Sequence, residues 1–338
     1  MAGRSASGRP IRHDAYPHRA TSPVTLRSTG EEISRRAVLT SASALALSAC
    51  GPRDAQSQSV PADLPPLKTV APFRVGACVQ ALHLDDPALS ALLGHTLVWY
   101  AQSPPAFERL DESRIGFADA YRNYIHAVAG RYRGQAVGWD VVNEAVAEDG
   151  AGWRDSLWAQ RLGAFDHIAL AYRTAREADP QATLLLNDYN LEYMPKKRAT
   201  FLKLAERLLA SGAPLTGLGT QMHVAADIAP GKITTMIREL ASLGLPIHVS
   251  ELDVSLTRAD NKLLSRGELQ RRQTAVYAEA AEAFMALPPR QRFAFTLWGL
   301  RDRDSWLKKE NASDAPAPFD DAGRPKAGAA ALVEAFRA

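Results

Sequence analysis

Cysteine is nearly absent from this chain, which has two in 338 residues, Cys50 and Cys78. So few thiols exclude a disulfide framework as the support of the fold. Nucleotide-binding motifs are also lacking, because Gly217-Leu218-Gly219 has no third glycine and Gly231-Lys232 has no upstream glycine at P-loop spacing. No Gly-x-Ser-x-Gly motif occurs either. These absences exclude dinucleotide and P-loop enzymes and the serine hydrolases built on that motif.

The chain also lacks a strong excess of charge of either sign once its first 50 residues are set aside. Those residues carry seven arginines against three acidic residues, whereas residues 51–338 carry 33 basic and 34 acidic ones. A nearly neutral body offers no bulk attraction to nucleic acid. Nucleic acid is therefore excluded as the main partner.

The first 50 residues predict an export signal. The pair Arg35-Arg36 precedes a weakly apolar run over 37–49 that is too short to cross a bilayer, which takes about 20 helical residues. The run ends at Cys50 in a sequence that resembles the cleavage and acylation site of bacterial lipoproteins. We therefore expect a twin-arginine, lipoprotein-type signal peptide over 1–50. The protein would be exported to the periplasm or cell surface and anchored there by lipid on Cys50, its only membrane contact.

Two further segments follow the signal peptide. Residues 51–71 are rich in proline, glutamine and serine, hold too little apolar surface to order themselves, and predict a tether. Residues 72–338 predict a folded domain, because apolar runs of strand length alternate there with helical stripes such as Phe117, Tyr121 and Ile125. The runs number seven, at 73–79, 96–99, 137–142, 183–186, 218–222, 247–249 and 293–298. Apolar strands separated by helices predict a parallel α/β sheet.

Polar and aromatic side chains follow nearly every predicted strand. They are His95, Trp99, Asn143, Glu144, Asn187, Tyr189, Gln221, His223, Glu251, Asp253 and Trp298. A ring of reactive groups at successive carboxyl ends of strands is typical of the catalytic face of an α/β barrel. We therefore predict a barrel of the TIM type rather than an open sheet.

Two of these side chains, Glu144 and Glu251, have the chemistry for cleaving a glycosidic bond. Such cleavage needs one carboxylic acid to protonate the leaving oxygen and one ionised carboxylate to attack or stabilise the oxocarbenium-like centre. Each glutamate directly follows a predicted strand, so both are expected at the same end of the barrel.

A metal site is not predicted. His95, His223, His248 and Glu251 are the candidate ligands, but His248 and Glu251 are three residues apart on one predicted strand and point to opposite faces. No metal is therefore expected.

The sequence resembles glycoside hydrolase family 10, the endo-1,4-β-xylanases, in six blocks that occur in the family's order. The blocks are Gly94-His95-Thr96-Leu97-Val98-Trp99, Trp139-Asp140-Val141-Val142-Asn143-Glu144, Asn187-Asp188-Tyr189-Asn190, Gly219-Thr220-Gln221-Met222-His223, Ser250-Glu251-Leu252-Asp253, and Leu297-Trp298-Gly299 with Asp304-Ser305-Trp306. The resemblance implies a (β/α)8 barrel that cleaves internal β-1,4 links of xylan or xylo-oligosaccharides with net retention and without a cofactor. A monomer is expected.

The resemblance also implies roles for individual residues. Glu144 corresponds to the general acid/base and Glu251 to the nucleophile, with His223 and Asp253 keeping Glu251 ionised and oriented. The implied substrate contacts are His95, Trp99, Trp298 and Trp306 on the non-reducing side of the scissile bond, Tyr189 as a platform on the other side, Asn143 on the sugar 2-hydroxyl, and Gln221.

One part of the family's pattern is missing. After its first strand the family has a helix, a second strand and another helix before the Gly-His-Thr-Leu-Val-Trp block, whereas here residues 81–93 lead directly to Gly94. We therefore expect a barrel that has lost about one βα unit at the second strand. Two alternatives to a xylanase stay open: a weak or inactive xylan-binding lipoprotein, and a related retaining β-glucanase.

Overall fold

The computed structural model of the protein describes residues 64–77, 92–110, 113–261 and 263–338. The predicted signal peptide with Cys50, residues 51–63 of the predicted tether and the segment 78–91 lie outside the described residues. Within the described ranges, no helix is both long enough and apolar enough to cross a membrane.

The described part of the chain forms one curved parallel sheet. Its strands are β1 (Arg74–Ala77), β2 (Leu92–Trp99), β3 (Ala136–Asn143), β4 (Thr183–Asp188), β5 (Gly217–Thr220), β6 (His223–Ala225), β7 (Ile247–Ser255) and β8 (Arg292–Leu297). They pair in the order β1-β8-β7-β5-β4-β3-β2, and the short β6 pairs with the end of β7. Each of the seven predicted apolar runs overlaps a strand of this sheet, so the prediction of a parallel α/β architecture is confirmed.

Side chains from strands far apart in the sheet meet in its interior. Phe293 on β8 packs in one cluster with Leu185 on β4, Leu93 on β2 and Val137 on β3. The ring of Trp298, just after β8, lies 5.8 Å from that of His95 on β2. The sheet therefore curls so that β8 faces β2 and β3, as it does in a (β/α)8 barrel.

The sheet is open between β1 and β2, since no strand pairing joins these two among the residues that the structure describes. β2 pairs on its other side with β3, from Leu92 opposite Ala136 to Trp99 opposite Asn143. The predicted loss of a βα unit falls on the connecting residues 78–91, outside the described ranges.

Helices cover the outside of the sheet. They are α1 (Leu67–Val70), α2 (Pro105–Glu108), α3 (Arg114–Arg131), α4 (Leu157–Leu162), α5 (Asp166–Ala178), α6 (Pro195–Ala210), α7 (Lys232–Ala241), α8 (Arg266–Met285), α9 (Trp306–Glu310) and α10 (Ala327–Arg337). Serine hydroxyls accept from the backbone N–H three residues on at Ser113 and Ser265, where α3 and α8 begin. The predicted stripe of Phe117, Tyr121 and Ile125 is fully buried on α3, as expected.

The structure differs from the sequence-based boundaries in two places. The predicted tether extends to residue 71, but α1 lies within it, and Leu67 and Val70 pack on the hydrophobic core, so the ordered part begins earlier. The short strand β6 is not predicted. It is separate from β5 because Met222 between them has φ 64°, a left-handed value that interrupts the strand.

Candidate active site

Five polar side chains come together inside the sheet: Asn143, Glu144, Asn187 and Gln221 from the carboxyl ends of β3, β4 and β5, and Glu251 from the middle of β7. All five are buried, with at most 4% of each residue exposed. Buried polar groups are stable only when they are hydrogen-bonded. The pattern of those bonds therefore defines the site.

Amide side chains connect the two glutamates. Gln221 Nε2 donates to Glu144 Oε1 at 3.0 Å and to Asn143 Oδ1 at 3.3 Å. Asn187 Nδ2 donates to the same Asn143 oxygen at 3.0 Å and to Glu251 Oε1 at 3.1 Å. Asn143 Nδ2 in turn lies 3.2 Å from Glu144 Oε1. The two glutamates predicted from the sequence thus lie at the two ends of one buried hydrogen-bond network.

The orientation of the Asn187 amide is set by its neighbours. Ser250 Oγ donates to Asn187 Oδ1 at 2.8 Å, so the amide oxygen is occupied and the amide nitrogen faces Glu251 and Asn143. Gly219 on the adjacent strand leaves the room for this amide, because a Cβ at that position would lie 2.4 Å from Asn187 Oδ1.

Gly219→Ala is therefore expected to displace the Asn187 amide and to weaken its bond to Glu251. Overpacking of this kind costs about 1–3 kcal/mol of unfolding free energy. Loss of the bond also raises the pKa of Glu251, which moves the acidic limb of a rate–pH profile to higher pH. Thermal unfolding and kcat/KM against pH measure the two effects.

Gly130→Ala is the matched control for this change, because a Cβ at Gly130 on α3 would meet nothing within 4 Å. It is expected to leave the acidic limb in place and to stabilise the helix by up to about 1 kcal/mol. An unchanged acidic limb in Gly219→Ala would contradict the role assigned to the Asn187 amide.

Two histidines favour the ionised form of Glu251. Its Oε2 is 3.3 Å from His223 Nε2, and His223 Nδ1 is 3.0 Å from Asp253 Oδ2. Burial alone would raise the pKa of Glu251, but the charge of His95 and the hydrogen bonds from His223 and Asn187 hold it below its ordinary value. At neutral pH Glu251 is therefore a carboxylate, as a nucleophile requires.

The two histidines are cations at neutral pH. Burial would lower the pKa of His223, but Asp253 and Glu251 raise it to about 10. The pKa of His95 is likewise raised against the effect of burial, to about 9, by Glu251 and by Asp140, whose Oδ2 lies 2.9 Å from His95 Nδ1. Two positive charges next to Glu251 thus compensate for its removal from water.

Glu144 is shifted in the opposite direction. Burial raises its pKa, and the charges of Asp188 and Glu251 raise it further, while hydrogen bonds from Gln221 and Trp99 offset part of the effect. A carboxyl group with a raised pKa beside a carboxylate with a lowered one is the division of protonation states that acid–base cleavage needs.

These two opposite shifts predict a bell-shaped dependence of kcat/KM on pH. Below the lowered pKa of Glu251 the predicted nucleophile is protonated, and above the raised pKa of Glu144 the predicted acid is ionised. Hydrolysis of xylo-oligosaccharides from about pH 3 to 9 measures both limbs. In Glu144→Gln the residual rate is expected to keep the acidic limb and lose the alkaline one. A parent profile that is flat over this range would contradict the assignment of the two protonation states.

Aromatic side chains surround His223 on the side of β8. The ring of Trp298 lies 5.9 Å from the His223 ring and that of Trp306 lies 5.4 Å from it. The indole N–H of Trp306 donates to Asp253 Oδ2 at 2.9 Å. The structure thus brings His95, Trp298 and Trp306 together, whereas Trp99 lies against Glu144 and next to the ring of Tyr100, 6.1 Å away.

Tyr189 is placed differently from the expectation. Its residue is 2% exposed, so its ring is not an open platform for a sugar. Lys197 Nζ lies 3.5 Å from the ring centroid, and the hydroxyl hydrogen-bonds the Glu148 carboxylate. The physical reason is that Lys197 is itself fixed in the interior by Asp188, 2.9 Å away. Glu148, which is 41 residues from Tyr189 in the sequence, binds the Tyr189 hydroxyl and helps to cover the ring.

Four residues of the site received no role from the sequence. Asn187 stands at a predicted strand end, and Asp140 and Ser250 lie inside blocks that resemble family 10, but nothing in the local sequence indicates their hydrogen bonds. Arg154 lies in the loop after β3 and carries no sequence signal. Its Nε donates to the Glu144 carbonyl oxygen at 2.9 Å.

The candidate metal ligands do not form a cluster. His248 and Glu251, both on β7, have different partners. His248 Nε2 lies 2.8 Å from Thr296 Oγ1, whereas Glu251 bonds His223 and Asn187. Among the described residues, no three histidine, cysteine or carboxylate side chains are grouped so that they could hold a metal ion.

A buried pair of carboxyl groups on the strands of an α/β barrel, one with a raised pKa and one with a lowered pKa, is typical of a glycoside hydrolase. Comparison with known proteins narrows this class. The profile of Glycosyl hydrolase family 10 matches residues 81–335. The chain belongs to this family.

Relatives of the chain include two bacterial xylanases. It is 34% identical over 271 residues to endo-1,4-beta-xylanase A of Cellvibrio japonicus, a match that covers 72% of this chain and 44% of that protein. It is also 34% identical to an endo-1,4-beta-xylanase of Geobacillus stearothermophilus, covering 69% of this chain and 74% of the relative. The structure of a thermostable mutant of the Cellvibrio japonicus xylanase Xyn10A superposes with a TM-score of 0.67 at 33% identity, covering 73% of this chain and 79% of that one. The chain thus spans less than half of the full-length Cellvibrio japonicus relative, 74% of the Geobacillus stearothermophilus relative and 79% of the chain in the solved structure.

Proposed function

We propose that the protein is a retaining endo-1,4-β-xylanase. The observation that carries the proposal is the buried network of Asn143, Asn187 and Gln221, which joins Glu144 and Glu251 and accompanies their opposite pKa shifts. Membership of family 10 and the xylanase names of its relatives support xylan as the substrate.

The first displacement breaks the link between two sugars. Glu144 gives its proton to the glycosidic oxygen as the C1–O bond breaks, and the Glu251 carboxylate attacks C1 to form a glycosyl ester. Asn143, which bonds Glu144 and shares the Asn187 amide with Glu251, hydrogen-bonds the sugar 2-hydroxyl in this proposal, a contact that strengthens as the ring flattens. The cations of His223 and His95 hold Glu251 ionised until it attacks.

The second displacement restores the enzyme. Glu144, now a carboxylate, takes a proton from a water molecule whose oxygen attacks C1, and the ester bond to Glu251 breaks. Two inversions at C1 give net retention. The raised pKa of Glu144 suits both halves, because the group must donate a proton first and accept one later.

Release of reducing sugar from xylan tests the proposal. The parent protein is expected to release sugar from xylan faster than from mixed-linkage β-glucan, and Glu144→Ala and Glu251→Ala are each expected to lower that release by at least about 100-fold. Faster turnover of the glucan would favour the related β-glucanase. Retention on insoluble xylan without release by the parent would overturn the proposal in favour of a xylan-binding protein.

The expected loss of a βα unit bears on the non-reducing side of the site. Sugar contacts that the family makes from its second strand have no counterpart in residues 81–93, so less binding energy is available there to orient and distort the substrate. We propose that KM for long xylo-oligosaccharides is high and that sugars added on the non-reducing side improve kcat/KM little.

The protein is further proposed to act outside the cytoplasm, anchored by lipid on Cys50. The twin arginine at 35–36 and the small residues before Cys50 support this proposal. Labelling of growing cells with a fatty acid analogue tests it, since Cys50→Ser is expected to remove the label. An unlabelled parent protein would overturn it.

A further inference from the structure

The backbone at Glu144 adopts a conformation that non-glycine residues rarely take. Its φ is 58°, in the left-handed region. Such a conformation is strained and persists only where the surrounding structure holds it. The contacts that hold this backbone therefore also fix the direction of the Glu144 carboxyl.

Three backbone contacts surround this turn. The Glu144 N–H donates to the Asn187 carbonyl oxygen at 2.8 Å. On the other side, Arg154 Nε donates to the Glu144 carbonyl oxygen at 2.9 Å, and the Arg154 N–H donates to the Ala145 carbonyl oxygen at 2.7 Å. One residue, Arg154, thus holds both peptide groups that follow the carboxyl-bearing residue.

Arg154 is itself held rigidly. Its guanidinium lies 4.1 Å from the centroid of the Tyr100 ring, and its Nη2 donates to the Tyr189 hydroxyl at 3.1 Å. Glu148 Oε2 is 3.5 Å from the same nitrogen, and 14% of the Arg154 side chain is exposed. A planar guanidinium can stack and donate from two nitrogens at once, which a lysine ammonium cannot do.

We propose that Arg154 is a positioning residue that keeps the Glu144 carboxyl directed at the oxygen of the leaving sugar. The inference rests on the proposed function, because it assigns Glu144 the role of general acid. A general acid must lie within hydrogen-bond reach of the oxygen that it protonates. A displacement of about 1 Å costs about 100-fold in rate.

The test compares two xylobiosides that differ in their need for an acid. A phenyl leaving group needs protonation as it departs, whereas a dinitrophenyl group does not, and kcat/KM reports only the steps through departure. Arg154→Met is expected to lower kcat/KM about 100-fold for the phenyl substrate and less than about threefold for the dinitrophenyl substrate. Arg154→Lys keeps the charge without the planar guanidinium. It is expected to lower the ratio of kcat/KM for the phenyl substrate to kcat/KM for the dinitrophenyl substrate, as Arg154→Met does. The lysine variant therefore still tests the inference if the methionine variant does not fold.

Arg207→Met is the matched control. Arg207 also stacks on two aromatic rings, those of Trp153 at 4.6 Å and Phe165 at 4.1 Å, but it belongs to α6. The control is expected to leave the ratio of the two substrates unchanged. Equal losses on both substrates in the Arg154 variants would overturn the inference. A parent protein that hydrolyses neither substrate would instead overturn the proposed function.

Discussion

Glu251→Gln is expected to lower kcat/KM by about 10⁴-fold or more, whatever the leaving group, as removal of one member of a catalytic unit does. Glutamine keeps the size of the side chain but has no carboxylate to attack C1. The loss is large because the site is built around that charge: His223 lies 3.3 Å from Glu251, and His95 adds a second positive charge. Initial rates on xylan and on the dinitrophenyl xylobioside measure it.

Removing the negative charge of Glu251 should also be visible in its neighbours. The pKa of His223, about 10 in the parent, depends in part on Glu251 and is expected to fall in Glu251→Gln. A titration of the His223 ring by NMR measures the change. Xylan hydrolysis at a rate near that of the parent would contradict the assignment of Glu251 as the nucleophile.

Glu144→Ala is expected to slow the hydrolysis of xylan much more than the release of dinitrophenol from the dinitrophenyl xylobioside. Loss of a general acid costs about 10²–10⁴-fold on xylan, whose leaving sugar needs a proton. Departure of a dinitrophenyl group needs none, so the ester to Glu251 still forms, but its hydrolysis now lacks a base. The intermediate therefore accumulates, and a burst of dinitrophenol followed by slow turnover is the expected time course.

A small anion should relieve this block, because Glu144→Ala leaves an empty space next to C1 and removes a negative charge. Azide needs no base to attack the ester, and it is expected to restore turnover of the dinitrophenyl substrate and to give a β-xylobiosyl azide. Glu148→Ala is a comparison on the same loop, since the Glu148 side chain is 43% exposed and contacts Tyr189 and Arg154 but neither Glu144 nor the amides that join the two glutamates. Equal responses of the two variants to azide would contradict the role of Glu144.

Most of the fold could be predicted from the sequence because apolar runs and helical stripes reflect burial directly. The seven runs from 73–79 to 293–298 correspond to strands of the sheet, and their order is that of a barrel wall. The separate strand β6 could not be predicted, since it depends on the left-handed backbone at Met222. The start of the ordered domain at α1 depends on packing of Leu67 and Val70 on the core rather than on local composition.

The site was predictable where chemistry and strand position coincide, as they do at Glu144 and Glu251. Hydrogen-bond direction was not predictable, because the amide of Asn187 is oriented by Ser250, 63 residues away, and by the space at Gly219. The same is true of Tyr189, whose ring is covered by Lys197. Arg154 could not be found at all, because it acts through the backbone of Glu144 from within a loop.

The configuration of the first sugar released tests the two-glutamate account most directly. Proton NMR spectra recorded during the first minutes of xylo-oligosaccharide hydrolysis distinguish the two anomers before they equilibrate. The account predicts that the β-anomer forms first. Initial formation of the α-anomer would mean a single displacement by water and would contradict an ester on Glu251.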